Sequence, residues 1–167
     1  TVNVPYGYVK DPENPKHWLV DPEAAAIVKR IFSMCMEGRG PTQIANQLWA
    51  DKVLTPTAYK LSHGRSTNAP APEDPYRWDK RAVSLILERR EYTGCTVNFK
   101  TYTNSIWDKK RHLNPVENQA IFPDTHERII DDDVFEKVQE IRNQRHRMTR
   151  TGKSSIFSGM VYCADCG

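Results

Sequence analysis

Four segments of the chain place apolar residues three and four positions apart, which is the spacing of one face of an α-helix. The first segment follows Asp21 and Pro22, an N-cap residue and a first-turn proline that favour a helix start. Its predicted inner face consists of Ile27, Val28, Ile31, Phe32 and Cys35. Gly38 and Gly40 end this helix, because glycine is the residue most tolerant of the conformations that follow a helix.

The other three helical segments are shorter. The second begins at Pro41 directly after Gly38-Arg39-Gly40, so the first two helices resemble the entry to a helix-turn-helix. The third follows Asp79 as its cap, and the fourth begins within 131–133, three consecutive aspartates. The predicted inner faces are Ile44, Ala45 and Leu48, then Ala82, Val83, Ile86 and Leu87, then Val134, Phe135, Val138 and Ile141.

Short extended segments separate these helices. Residues 95–111 alternate and predict a β-hairpin, with Cys95, Val97 and Phe99 on one face and Ile106-Trp107 on the returning strand. Residues 119–130 predict a further strand, and residues 1–20 predict a turn followed by short strands. Residues 55–75 are rich in Pro, Ser, Thr and Asn and predict an exposed loop.

The pattern predicts an α+β fold: a small helical, helix-turn-helix-like cluster with a β-hairpin or small antiparallel sheet and a C-terminal helix. We divide the chain into a domain at 1–148, a linker at 149–155 and the start of a second domain at 156–167. Hydrophobic residues make up 38% of the chain and charged residues 27%, as in ordinary globular proteins. No apolar run approaches the roughly 18 residues of a membrane span, and no signal peptide is recognisable.

Charge is separated along the chain, although the formal net charge is only +3. Residues 77–111 hold nine basic and four acidic residues, whereas residues 112–135 hold one basic and six acidic residues. Residues 136–167 are basic again. Such separation predicts a basic surface for a polyanion, with an ordinary solvated face as the alternative.

The four cysteines are too few for a disulfide scaffold at this length. Cys163 and Cys166, followed by Gly167, have the spacing of half a zinc ribbon, and a redox-active pair has the same spacing. We expect Cys35 and Cys95 to be buried. Because the chain lacks an initiator Met and stops after half a metal site, we expect it to be a piece of a longer protein.

No side chains form a convincing catalytic group. His126-Glu127 together with Asp131, Asp132 and Asp133 could form the metal site of an independent nuclease. Three aspartates at a helix start are more simply explained as caps and partners of the helix dipole. The sequence therefore predicts that this chain is not an enzyme by itself and that it needs no cofactor.

Basic and hydroxyl side chains on the third helix, on the hairpin and in the 55–75 loop favour contacts with the phosphates and base edges of duplex DNA. The candidate DNA-binding residues are Lys60, Arg65, Arg77, Lys80, Arg81, Ser84, Arg89, Lys100, Lys109, Lys110 and Arg111. The alternative is that these basic faces serve protein–protein contacts in a larger assembly.

Several motifs occur in an order that is specific when taken together. They are Pro5-Tyr6-Gly7-Tyr8, Leu19-Val20-Asp21-Pro22-Glu23, Gly40-Pro41-Thr42-Gln43-Ile44-Ala45, Trp78, Tyr92-Thr93-Gly94, His126-Glu127-Arg128-Ile129-Ile130-Asp131 and Phe157-Ser158-Gly159-Met160-Val161-Tyr162-Cys163-Ala164-Asp165-Cys166-Gly167. In this order the chain resembles the recombinase domain of the large serine recombinases, the phage integrases and transposon recombinases of the resolvase/invertase superfamily, running into the start of their zinc-ribbon domain.

The resemblance implies a DNA-binding role in site-specific integration and excision. A separate catalytic domain would supply the serine that attacks the DNA, and this chain would bind the attachment site beside the crossover. The resemblance also implies zinc at Cys163 and Cys166 in the full-length protein, a homodimer or tetramer, and a cytoplasmic, nucleoid-associated location for a bacterial or phage-encoded protein, with no membrane partner.

Overall fold

The computed structural model describes residues 4–14, 17–65, 67, 69–103, 107 and 110–144. These residues form the helices α1 (Pro22–Met36), α2 (Pro41–Ala50), α3 (Pro56–Ser62), α4 (Lys80–Glu88) and α5 (Asp132–Asn143), with 3-10 turns at Arg90–Thr93 and Val116–Asn118. They also form the strands β1 (Tyr8–Lys10), β2 (Trp18–Val20), β3 (Thr96–Asn98), β4 (Thr101–Tyr102), β5 (His112–Leu113) and β6 (Ala120–Phe122). The predicted α+β fold class is confirmed.

Helix α1 is the centre of the hydrophobic core and packs against α2, α4 and α5. Its buried residues include Val28, Ile31, Phe32 and Cys35, as the helical spacing predicted. Asp21 precedes α1 in extended conformation, but its side chain does not cap the helix. Instead, it accepts a hydrogen bond from the Tyr59 hydroxyl at 2.9 Å, so this carboxylate ties the start of α1 to α3.

The prediction of a single exposed loop at 55–75 is wrong, because residues 56–62 form α3. Thr55 accepts a hydrogen bond from the Ala58 amide at 3.4 Å, and Pro56 occupies the first helical position. Tyr59 is buried against the core. A helix of seven residues is too short to show a repeating apolar face, so its caps were the signal in the sequence.

The strand pairing also differs from the prediction, and Ile106 of the predicted returning strand lies outside the described residues. β3 pairs antiparallel with β6, so that Thr96 faces Phe122, and β4 pairs with β5. We call these four strands the arm. Phe99 has a positive φ of 59° between β3 and β4, and 69% of its surface is exposed. It therefore does not share the buried face of Cys95 and Val97, because the turn at Phe99 breaks the alternation that the sequence pattern assumed.

The arm joins the helical core at Tyr92 and Gly94. The Tyr92 carbonyl accepts hydrogen bonds from the amides of Ile129 and Ile130, at 2.9 and 3.0 Å. These two residues are buried but lie outside any strand, so the strand predicted for 119–130 is confirmed only for residues 120–122. Gly94 has φ +87°, and a Cβ there would lie 2.9 Å from the His126 carbonyl oxygen, so the junction requires glycine.

His126 is a buried histidine at this junction, and its ring packs against the rings of Tyr8 and Trp18. Its Nε2 lies 2.7 Å from the Glu91 carbonyl oxygen and its Nδ1 lies 2.9 Å from the Thr125 hydroxyl. A neutral ring that donates through Nε2 and accepts at Nδ1 satisfies both contacts. Burial lowers the pKa of His126 below its usual value, because the charged ring would lose its hydration.

We expect this histidine to make the fold sensitive to mild acid. The unfolded chain binds a proton at His126 near pH 6.5, whereas the folded chain binds it only at lower pH. The contribution of His126 to the free energy of unfolding is therefore fully present above about pH 6.5. It is lost as the pH falls from there through the pKa that His126 has in the folded chain. Urea unfolding of the wild type and His126→Gln at pH 7.5 and 5.5 tests this, with His112→Gln in the arm as control. The prediction is contradicted if His126→Gln loses as much stability on acidification as the wild type.

Candidate nucleic-acid interface

The start of α4 presents an uncompensated basic surface. Lys80, Arg81 and the preceding Arg77 are exposed, and the Asp79 side chain caps the helix by accepting from the Arg81 amide at 2.9 Å. Ser84, one turn further on, is half-buried. Within the residues that the structure describes, no ion pair neutralises Arg77, Lys80 or Arg81. Their charges therefore face solvent, where they can meet an anionic partner.

A groove of about 460 Å³ separates this surface from α2. Thr42, Asn46 and Trp49 line its α2 side, and Arg77, Lys80 and the capping residue Asp79 line the other. Trp49 is 50% exposed, and its indole Nε1 donates to a carboxylate oxygen of Asp74 at 3.0 Å. We name Arg77, Lys80, Arg81, Thr42, Asn46 and Trp49 the α2–α4 surface.

The sequence interpretation missed the contribution of α2 to this surface. Thr42, Asn46 and Trp49 are spaced four and three residues apart and therefore share one helix face. That spacing was visible in the sequence. Only the packing of α2 against α4, however, places this face beside the basic residues.

The arm presents a second candidate surface. Lys110 and Arg111 are exposed next to β5, and Lys109 lies outside the described residues. Trp107 is 91% exposed and Leu113 is 85% exposed. Cations interleaved with large exposed apolar groups suit both the phosphates and the groove floors of nucleic acid.

Lys100 is held differently from the other arm cations. Its Nζ lies 2.6 Å from Oε1 of Glu91, a residue that is only 8% exposed. The second oxygen of Glu91 is buried and has no hydrogen-bond partner among the described residues. Lys100 thus compensates a carboxylate at the base of the arm, and its predicted contact with DNA stays a prediction.

We expect Lys100→Met to lower the free energy of unfolding by about 1–3 kcal/mol, because a buried carboxylate would lose its cation. The double variant Glu91→Gln/Lys100→Met removes both charges and should recover part of this loss. Denaturant unfolding measures both, and Arg111→Met is the control, because Arg111 is exposed and in no ion pair with a described residue. An unchanged unfolding midpoint in Lys100→Met together with weakened DNA binding would mean that the lysine serves DNA instead.

The remaining predicted cations gather around α3. Arg65 forms an ion pair with Asp21 at 3.1 Å, and its guanidinium carbon lies 5.9 Å from the centre of the Tyr59 ring. Lys60 and Arg89 are half-buried and line a cleft between α3 and α4. The structure therefore places the described cations among the predicted DNA-binding residues on the α2–α4 surface, in the arm, and in or near this cleft.

The acidic cluster does not form a metal site in the described part of the chain. Asp131 is the N-cap residue of α5, and Asp132 and Asp133 lie in its first turn, where they favour the helix dipole. Among the described residues, no three His, Cys, Asp or Glu side chains are placed to hold a metal ion. Cys163 and Cys166 lie outside the described residues, so their zinc stays a prediction. No described helix is long and apolar enough to cross a membrane.

The sequence and the fold of this chain are similar to those of known proteins. The family model Recombinase matches residues 22–145. YefB of Bacillus subtilis (strain 168) is 33% identical over 90 residues, which cover 54% of this chain and 30% of YefB. The crystal structure of a LSR-DNA complex matches with a TM-score of 0.55 and 15% identity, covering 100% of this chain and 41% of that chain.

The α+β fold is thus that of a recombinase domain. Because the family model spans most of its length, the chain belongs to the Recombinase family. The resemblance to a recombinase domain that the sequence motifs indicated is confirmed by the family model, and the LSR-DNA complex has a similar fold. The chain spans less than half the length of both relatives described above.

Proposed function

We propose that this chain is a sequence-specific DNA-binding module of a site-specific serine recombinase and that it binds attachment-site DNA beside the crossover. The observation that supports this most directly is the α2–α4 surface, where three exposed cations have no carboxylate partner among the described residues. A solved structure with a similar fold is a complex with DNA, which supports the same assignment.

The α2–α4 surface combines two kinds of group that duplex recognition needs. Arg77, Lys80 and Arg81 supply charge for phosphates, and arginine can also hydrogen-bond guanine through two donors. Asn46 supplies an amide, the group that pairs with adenine in the major groove. A module with both kinds of group can fix its position on the duplex and distinguish base sequence.

The whole protein has further parts in this proposal. The chain spans 41% of the chain in the LSR-DNA complex. We therefore place the serine nucleophile outside these 167 residues and give this chain binding and positioning, with no bond-making step of its own. Assembly into a dimer or tetramer, and zinc held by Cys163 and Cys166 with further ligands, belong to the same proposal.

The test is selection followed by titration. The purified 167-residue chain is used to select duplexes from a pool with 20 randomised base pairs, and the enriched duplex is compared with its scrambled form. We expect the enriched duplex to bind at least about 1,000-fold more tightly. A plot of log affinity against log salt should have a slope of about −3 or steeper, because at least three cations face the DNA.

Two results would contradict the proposal. The first is the absence of binding to any duplex at low salt, and the second is equal binding to enriched and scrambled duplexes. Concentration-dependent self-association without DNA binding would favour the assembly module instead. Sedimentation velocity with and without duplex distinguishes these outcomes in one experiment.

A further inference from the structure

A cleft of about 400 Å³ lies between α3 and α4, apart from the α2–α4 surface. Lys60 from α3 and Arg89 from the end of α4 line it, together with the hydroxyl of Thr57. Its apolar wall includes Ala82 and Leu85, of which Leu85 is 45% exposed. The cleft thus combines two cations, a hydroxyl and an apolar wall at the surface.

The two cations have no acidic partner in the described part of the chain. Lys60 is half-buried, and its Nζ lies 3.5 Å from the Val4 carbonyl oxygen. Burial lowers the pKa of Lys60, and the nearby charges of Arg89 and Arg65 lower it further. Arg65 already has a partner in Asp21, whereas no described carboxylate pairs with Lys60 or Arg89. An anion in the cleft would relieve this repulsion.

We propose that this cleft binds one phosphodiester group of the DNA backbone, held jointly by Lys60 and Arg89. The apolar wall suits the face of the adjoining deoxyribose, and Thr57 can donate a hydrogen bond to a phosphate oxygen. This inference rests on the proposed function, because it requires bound DNA, but it assigns a site and a role that the α2–α4 surface does not include.

The position of the cleft makes its phosphate distinct from those at the start of α4. Lys80 and Arg89 are nine residues apart, about 13 Å along a helix axis. Since successive nucleotides of one strand advance by about 3.4 Å along the duplex, this corresponds to about four base steps. Lys80 at the start of α4 and Arg89 at its end would therefore contact different phosphates of the DNA backbone.

Neutral backbone linkages test the shared phosphate directly. A series of selected duplexes, each with one methylphosphonate linkage in place of a charged phosphodiester, is titrated with wild type, Lys60→Met and Arg89→Met. We expect the methylphosphonate at one position to weaken wild-type binding about tenfold. The same duplex should bind either variant with a much smaller loss of affinity. Methionine keeps the aliphatic stem, and Lys29→Met, in the groove between α1 and α5, is the matched control.

The slope of log affinity against log salt reports how many phosphates the two side chains contact. The double variant Lys60→Met/Arg89→Met should lose about 0.9 from the salt slope, because one phosphate is lost, whereas two separate contacts would cost about 1.8. Without DNA, neither single variant should melt below the wild type, since each removes a repulsion. Three results would overturn the shared site while DNA binding itself persists. They are a different sensitive linkage for each of the two side chains, no sensitive linkage, and a decrease in the salt slope of about 1.8 or of zero in the double variant. Failure of the wild type to bind any duplex would instead overturn the proposed function.

Discussion

Tyr92→Ala is expected to lower the free energy of unfolding by about 3–5 kcal/mol, the loss that follows deletion of a large buried aromatic side chain. Tyr92 is the largest fully buried side chain in the described residues. Its ring stacks on Tyr8 at a centroid distance of 6.1 Å and meets Phe32 edge-on at 6.2 Å. Its hydroxyl donates to the Tyr6 carbonyl oxygen at 2.7 Å. The residue thus joins α1, the N-terminal turn and the base of the arm.

Two variants separate packing from hydrogen bonding in this prediction. Tyr92→Phe keeps the ring and loses only the bond to Tyr6, so it should cost about 1–2 kcal/mol. Tyr102→Ala, in the arm, removes a tyrosine that is 45% exposed and should cost much less. Equilibrium unfolding in urea measures all three. A cost for Tyr92→Ala below that for Tyr92→Phe would show that the ring does not hold these elements together.

Arg77→Ala/Lys80→Ala/Arg81→Ala should weaken binding to the selected duplex about 100-fold, since each charged contact is worth about 1 kcal/mol. The salt slope should become shallower by about 2.7 if each side chain contacts its own phosphate. Alanine favours helix, so α4 should remain folded. Fluorescence anisotropy at several salt concentrations measures both quantities, and circular dichroism verifies the fold.

A second triple variant controls for net charge. Lys10→Ala/Lys29→Ala/Lys137→Ala removes the same three charges from exposed positions on β1, α1 and α5. It should leave affinity within about threefold of the wild type, because distant charges are screened at physiological salt. Equal losses in the two triple variants would mean that overall charge, and not the α2–α4 surface, attracts the DNA.

The helical part of the fold was predictable from local patterns. Helices α1, α2, α4 and α5 each repeat an apolar face and have a recognisable start signal, such as Pro22 at the start of α1 or the N-cap residue Asp79 before α4. Helix α3 was missed because seven residues allow only one buried turn around Tyr59. The arm was mispaired because β3 finds its partner in β6, more than twenty residues away, and sequence alternation does not name the partner of a strand.

The candidate site was predictable to a similar extent. The sequence indicated which segment is basic, since residues 77–111 hold most of the excess charge. It did not indicate which cations already have partners, and the structure pairs Lys100 with Glu91 and Arg65 with Asp21. The folded backbone brings the two partners of each pair together, so folding decides which charges remain available to DNA.

The sequence by itself therefore determined four of the five described helices, the separation of charge and the family, because each depends on residues near one another or on their order along the chain. Only the tertiary structure decided which strands of the arm pair and that α2 and α4 form one surface. It also decided that Lys60 and Arg89 line the same cleft. Each of these depends on which distant segments the hydrophobic core brings together, with α1 and Tyr92 at its centre. Apolar periodicity shows which face of a segment is buried, but packing alone selects the neighbour that buries it.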